Sequence, residues 1–223
     1  MEGVQVVGTF VAAFVATLVG VRVLGLVAKL FQLLFALRRL RLEAAGAAGL
    51  AATPDHITLH PTGVDPWNDR AAAGRLVRGF ERQGFRSGGT FLIDEMPETF
   101  VQLFVHPDEN LIGVAYEHPQ AGHWADVVEY RTDGTGTTWT SAPETGLDPR
   151  PGHTQIREPG ASVDRLVARA RSERGPGPAQ SFHPSELAAL VERAYAEESA
   201  WRKSRGITRE EMERIARNLK EAA

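Results

Sequence analysis

The stretch TFVQLFVHPDENLIGVAYEHPQAGHWADVVEYR, residues 99–131, alternates with a period of two and is broken twice by turn chemistry. Such alternation marks half-buried β-strands, because successive side chains leave opposite faces of a pleated chain. Three strands follow: Thr99–His106, Leu111–His118 and His123–Arg131. The breaks are Pro107-Asp108-Glu109-Asn110 and Pro119-Gln120-Ala121-Gly122. Links this short join antiparallel neighbours, since a parallel return needs a long crossover. Thr90–Met96, ahead of Pro97-Glu98, and Thr137–Ser141, behind Asp133-Gly134, continue the pattern on either side. The expectation is a five-stranded antiparallel meander.

Four-residue loops in both central hairpins set His106 opposite Leu111 and His118 opposite His123. One face then carries Val101, Leu103, Val105, Ile112, Val114, Tyr116, Ala125 and Val127, with Glu129 at its edge. The other carries Phe100, Gln102, Phe104, His106, Leu111, Gly113, Ala115, Glu117, Trp124, Asp126, Val128 and Tyr130, joined by Phe91 and Trp139. That second face is too aromatic to leave in water and too polar for a plain core. Helices laid over both faces are the bland reading of it. The sharper one is a groove with convergent polar groups, as small-molecule sites have. Its candidate residues are Phe104, His106, Glu117, Trp124, Asp126 and Tyr130.

Helices flank the strands. Asp65-Pro66 reads as an N-cap and first turn, and Gly84 as a left-handed stop with Phe85 folding back on Phe80. After a Pro/Gly-rich loop at 144–160, with room for a short strand at His153–Arg157, Ser162 caps a further helix. Pro184–Ser204 is a third, ended by Gly206. Thr208 and Glu211 make a capping box for the last, and Ile207 staples onto Met212. The final two helices are amphipathic and form a C-terminal helical hairpin suited to a protein partner or to docking on the sheet.

At the other end, Val4–Val21 runs 18 residues without a charge. A helix needs roughly 17–25 apolar residues to cross the bilayer core, so this stretch reads as a transmembrane helix. A signal peptide fits less well: Met1-Glu2-Gly3 carries no Lys or Arg. Gly8, Ala12, Ala16 and Gly20 form a small-residue stripe on one face, which points to self-association or to pairing with another membrane helix. Arg38, Arg39 and Arg41 mark the cytoplasmic flank and suit lipid headgroups. Arg22, Lys29, Gln32, Arg39 and Glu43 form a narrow polar stripe, so residues 22–43 either lie on the membrane or extend the span. The expected location is a bacterial-type inner membrane, single-pass, with the N-terminus outside and the C-terminal domain cytoplasmic. The absence of cysteine is consistent with a reducing compartment.

The chain holds 25 Lys and Arg against 28 Asp and Glu. Five of the basic and two of the acidic residues lie in residues 1–43, leaving 20 basic and 26 acidic beyond them. An acidic remainder without a basic patch argues against nucleic acid. The seven histidines show no metal-ligand spacing. Asp94, Glu95 and Glu98 read as a solvated turn. There is no Gly-x-Ser-x-Gly elbow, and Ser87-Gly88-Gly89 leads into a strand, not a helix N-terminus. No catalytic residue, metal or cofactor is indicated.

The organisation expected is a membrane segment at 1–43, a linker at 44–53, an α+β domain at 54–174, a Gly/Pro linker at 175–180 and a helical tail at 181–223. The function expected is ligand or partner binding on the aromatic sheet face. An enzyme using His106, Glu117 and Asp126 in the same groove is the alternative.

Overall fold

Seven strands, in chain order, build one sheet in the computed structural model. The structure describes residues 50–51, 53–63 and 66–221, all within the unit Gly49–Ala223. The strands are β1 (Leu59–Pro61), β2 (Arg86–Ile93), β3 (Phe100–His106), β4 (Leu111–His118), β5 (Gly122–Tyr130), β6 (Gly136–Thr140) and β7 (His153–Arg157). Four helices accompany them among the described residues: α1 (Arg70–Arg82), α2 (Val163–Glu173), α3 (Leu187–Arg205) and α4 (Arg209–Glu221).

The five-stranded antiparallel meander is therefore corrected to a seven-stranded mixed sheet. β1 escapes a periodicity argument because it is three residues long and ends in Pro61, and proline belongs on sheet edges. β7 pairs parallel to β6, with Gly136 opposite His153 and Thr140 opposite Arg157. The chain reaches that parallel position by crossing over through residues 141–152. β2 begins at Arg86, ahead of the expected Thr90, because a bulge between Ser87 and Gly89 hides its first residues. Gly89 sits there at φ +119°, which a side chain would resist.

The transmembrane and membrane assignments are corrected as well. Among the described residues, no helix is long and apolar enough to cross a membrane. Residues 4–21, with Gly8, Ala12, Ala16 and Gly20, and the basic flank Arg38, Arg39 and Arg41 lie outside the described residues. The unit Gly49–Ala223 is α+β.

Local signals explain most helix ends. Asp69, not Asp65, caps α1: its Oδ1 accepts the N–H groups of Ala71 and Ala72 at 3.0 and 2.9 Å. Gly84 closes α1 at φ +86°, and Phe85 N–H returns to the Phe80 carbonyl at 3.1 Å. The two rings then meet edge-on, 5.1 Å apart. Ser162 caps α2 through Arg165 N–H. Thr208 and Glu211 form the reciprocal capping box, with Thr208 N–H on Glu211 Oε2 at 2.8 Å.

The sheet is covered on both faces. α1 and α2 lie on one, over Phe104, Leu111, Ala115, Ala125, Val127 and Trp139. α3 lies on the other, where Leu187 and Leu190 join Leu103, Val105, Ile112 and Val114. Each fully buried side chain of this size contributes about 1.5–3 kcal/mol, so the fully buried Phe80, Leu166 and Trp139 hold α1 and α2 firmly in place.

The register of β3 against β4 is as read, with His106 opposite Leu111. Between β4 and β5 it is not. His118 pairs with Gly122, so the loop is only Pro119-Gln120-Ala121. Gly122 takes φ +74°, and His118 Nδ1 accepts the N–H groups of Gln120 and Ala121 at 3.1 Å each. A three-residue hairpin with glycine in the left-handed position is a favoured geometry that the four-residue assumption misses. A one-residue shift turns every side chain of the strand to the other face. Ala125, Val127 and Glu129 pass under α1 and α2, while Trp124, Asp126, Val128 and Tyr130 join Val114 and Tyr116 on the α3 side.

Candidate functional site

A cavity of about 510 Å³ opens between the sheet, α3 and the 143–150 segment. Its floor is Val114 and Tyr116 of β4 with Trp124, Asp126, Val128 and Tyr130 of β5. Leu190, Ala194 and Tyr195 of α3 form one wall. Thr145, Leu147, Pro149 and Arg150 form another. Helix α3 contacts the sheet at β3, and the cavity lies between this helix, the loop and the strands that follow. A mostly apolar enclosure with a few polar groups is the usual build of a small-molecule site. A shallow depression at Arg165, Arg169 and Ser172 is different: both arginines there are engaged by Glu158.

The 145–150 wall is pinned in place. Arg214 Nη2 reaches Asp148 Oδ1 at 2.5 Å, and its Nε donates to the Gly146 carbonyl at 2.9 Å. Gly146 has φ +78°, and a Cβ there would lie 2.7 Å from Ile215 N, so α4 touches this loop backbone directly. Glu211, fully buried, accepts Asp148 N–H and Thr208 N–H at 2.8 Å and two Arg205 bonds at 2.9 Å. On the opposite side, Arg157 of β7 donates to the Pro143 carbonyl at 2.8 Å.

Two carboxylates show what partners do to a desolvated acid. Burial alone would raise Glu211, but Thr208, Asp148 and Arg205 outweigh it and hold the group at about 2. Burial also raises Asp126, and here it wins. Thr140, Arg157 and Tyr116 oppose it too weakly, and the group sits at about 6. Asp126 in turn raises Tyr116 further, beyond the effect of that residue's own burial. Tyr130 is likewise raised by burial, and His153, which faces the Tyr130 ring edge-on at 6.2 Å, is lowered by it. Tyr116 and Trp124 stack face to face, 4.6 Å apart and 11° from parallel.

Five buried side-chain N or O atoms among the described residues make no hydrogen bond: Thr99 Oγ1, Asp126 Oδ1, Arg131 Nε, Tyr195 Oη and Arg202 Nη1. Four belong to residues that line this cavity. Arg202 Nη1 lies 3.6 Å from the Glu211 carboxylate, whereas the three oxygens have no such partner. Buried polar atoms are paired in nine cases of ten or more, so orphans gathered at one cavity call for an explanation.

The six candidate residues divide between the two faces. Trp124, Asp126 and Tyr130 line the cavity. Phe104, His106 and Glu117 are under the α1–α2 layer. Phe104 stacks on Phe80 at 4.8 Å. His106 packs edge-on to Phe85 at 5.2 Å and accepts Glu109 N–H through Nδ1. Glu117 accepts Asn68 and Asp69 N–H at 2.8 Å each, and its Oε1 lies 2.8 Å from His123 Nε2. His106, Glu117 and Asp126 therefore do not meet in one groove. Phe91, placed with them by the alternation, belongs to the cluster beneath α3.

Sequence reasoning missed Thr99, Tyr116, Tyr195 and the 145–150 wall. Tyr195 carried a signal: it is a polar-tipped member of an otherwise aliphatic stripe containing Leu187, Leu190, Val191 and Ala194. Among the described residues, no three His, Asp or Glu side chains converge as a metal ion would require. Comparisons with protein families, with curated proteins and with solved structures find no match.

Proposed function

We propose that the Gly49–Ala223 unit is a binding module that holds a small molecule between the sheet and α3. The observation that carries this reading is the gathering of Thr99, Asp126 and Tyr195 oxygens, all buried and unpaired, at one largely apolar cavity. A plain core would not keep them, since each unsatisfied group costs about 1–3 kcal/mol. A ligand that bonds them recovers that cost on binding. The stacked Tyr116–Trp124 pair and the aliphatic floor suit a flat, apolar body.

Ligand-observed NMR of aromatic fragments against the full chain tests it. Ala194 faces the cavity from α3, so Ala194→Trp fills the space. Fragments should bind the wild type and lose contact with Ala194→Trp. Equal binding to a folded Ala194→Trp protein would move the site elsewhere and overturn the reading.

A further inference from the structure

We infer that Asp126 is the anchor of this cavity and that it selects an uncharged aromatic molecule carrying an N–H or O–H donor. The inference rests on the cavity reading above and adds the ligand's chemistry to it.

The three unpaired oxygens are not equivalent. Tyr195 and Thr99 carry hydroxyls, which donate or accept according to need. An ionised carboxylate only accepts. Asp126 Oδ1 is buried and has no donor, so a ligand satisfies it only by presenting one. Its neighbours serve the rest of the carboxyl and leave this one oxygen open. Across the sheet, Asp126 pairs with Val114 on β4 and Thr140 on β6. The Thr140 and Tyr116 hydroxyls hydrogen-bond this carboxyl, yet Oδ1 is left without a donor. Arg157 directs three N–H bonds to Pro143, Thr145 and Gln155.

Charge then decides between a neutral donor and a cationic one. The cavity arginines are engaged by carboxylates: Arg150 by Glu197, Arg202 by Glu198 and Glu211, and Arg157 by Glu144 at 3.9 Å. Arg157 already lends Asp126 positive potential. An ammonium group must give up its hydration on entering this largely apolar enclosure, a cost that a neutral donor does not meet. An anion would meet Asp126 itself. A neutral heterocycle or phenol meets neither penalty, and its ring extends the parallel Tyr116–Trp124 stack.

Three probes test this on the full chain by NMR titration: indole, 1-methylindole and tryptamine. Indole supplies a flat body with one N–H. Methylation removes the donor, and tryptamine adds a cation. Indole should bind at least about tenfold tighter than 1-methylindole, since the methylated ring buries Asp126 without a donor. Asp126→Leu should bring the two affinities together. Tryptamine should bind no tighter than indole. Equal binding of indole and 1-methylindole by the wild type would overturn the anchoring role while leaving the cavity reading intact. Tighter binding of tryptamine would overturn the neutral class. Failure of all three probes to bind would overturn the cavity reading, and this inference with it.

Discussion

Glu117 stands directly opposite His123 across the β4–β5 ladder, with Oε1 and Nε2 2.8 Å apart. The same carboxylate also receives the Asn68 and Asp69 N–H groups that lead into α1. One buried acid thus ties the hairpin register to the placement of a helix. With Glu117 and His123 paired beneath α1, their neighbours Tyr116 and Trp124 must point the other way, into the cavity.

Glu117→Ala should therefore cost more than an ordinary surface change. Burial alone would raise this carboxyl, but bonds from Asp69, Asn68 and His123 hold it below its usual range. Removing it strands two N–H groups at the entry to α1. The expected loss is about 2–3 kcal/mol, read by urea unfolding of the full chain. A loss within that of a surface alanine would mean that the helix does not depend on this bond.

Asp126→Leu should do the reverse and stabilise the unliganded protein. A folded-state value near 6, against 3.8 for the free group, means that the folded form holds its proton more tightly. The stabilising effect of that proton is complete below pH 3.8 and is lost as pH rises through 6. At pH 7 the ionised group is a liability of about 2–3 kcal/mol. Tyr116, Tyr130, Thr140 and Arg157 are the polar groups that surround it. The leucine variant should melt higher at pH 7 and lose most of that advantage by pH 4. A lower melting temperature at pH 7 would show that the carboxylate is satisfied after all.

Glu211→Gln should loosen the cavity wall. A carboxylate held at about 2 stabilises the fold above pH 4.5, and that contribution disappears as pH falls from 4.5 towards 2. Losing the charge leaves Arg205 without its main partner, at a cost of about 3 kcal/mol. Hydrogen exchange should accelerate at Asp148 and along α4 before it does in β3 or β4. Unchanged protection at Asp148 would contradict the clamp.

Gly113→Ala tests how closely α1 lies on the sheet. A Cβ at Gly113 would run into the Phe80 ring. Over-packing of that kind costs about 1–3 kcal/mol, and differential scanning calorimetry should show a correspondingly lower midpoint. An unshifted midpoint would place α1 farther from β4.

Much of this architecture is written locally. The alternation at 100–118, the Gly84 stop, the Ser162 cap and the Thr208–Glu211 box each depend on neighbours in the chain, and each is readable from them. What is not local is harder to read. β1 is too short for a pattern, and β7 joins in parallel through a crossover that no hairpin rule anticipates. The β4–β5 slip hinges on one backbone angle at Gly122, yet it relocates Trp124, Asp126 and Tyr130 relative to Phe104, His106 and Glu117. Three of the six candidate residues thus share the cavity face, and three lie under the α1–α2 layer. Tyr195 and the 145–150 wall come from more distant parts of the chain, and only tertiary packing brings them to the cavity.

The parallel pairing of β7 with β6 has one more consequence. A hairpin would have tied the length of the connection to the geometry of its strands. The crossover through 141–152 is free of that constraint, and it is this segment that closes the cavity. Selectivity and scaffold are therefore separable: the crossover can be exchanged for one of another length or composition while every ladder bond of the sheet is kept. A library varied only at Thr145, Leu147, Pro149 and Arg150 would leave the floor intact and reshape what it admits.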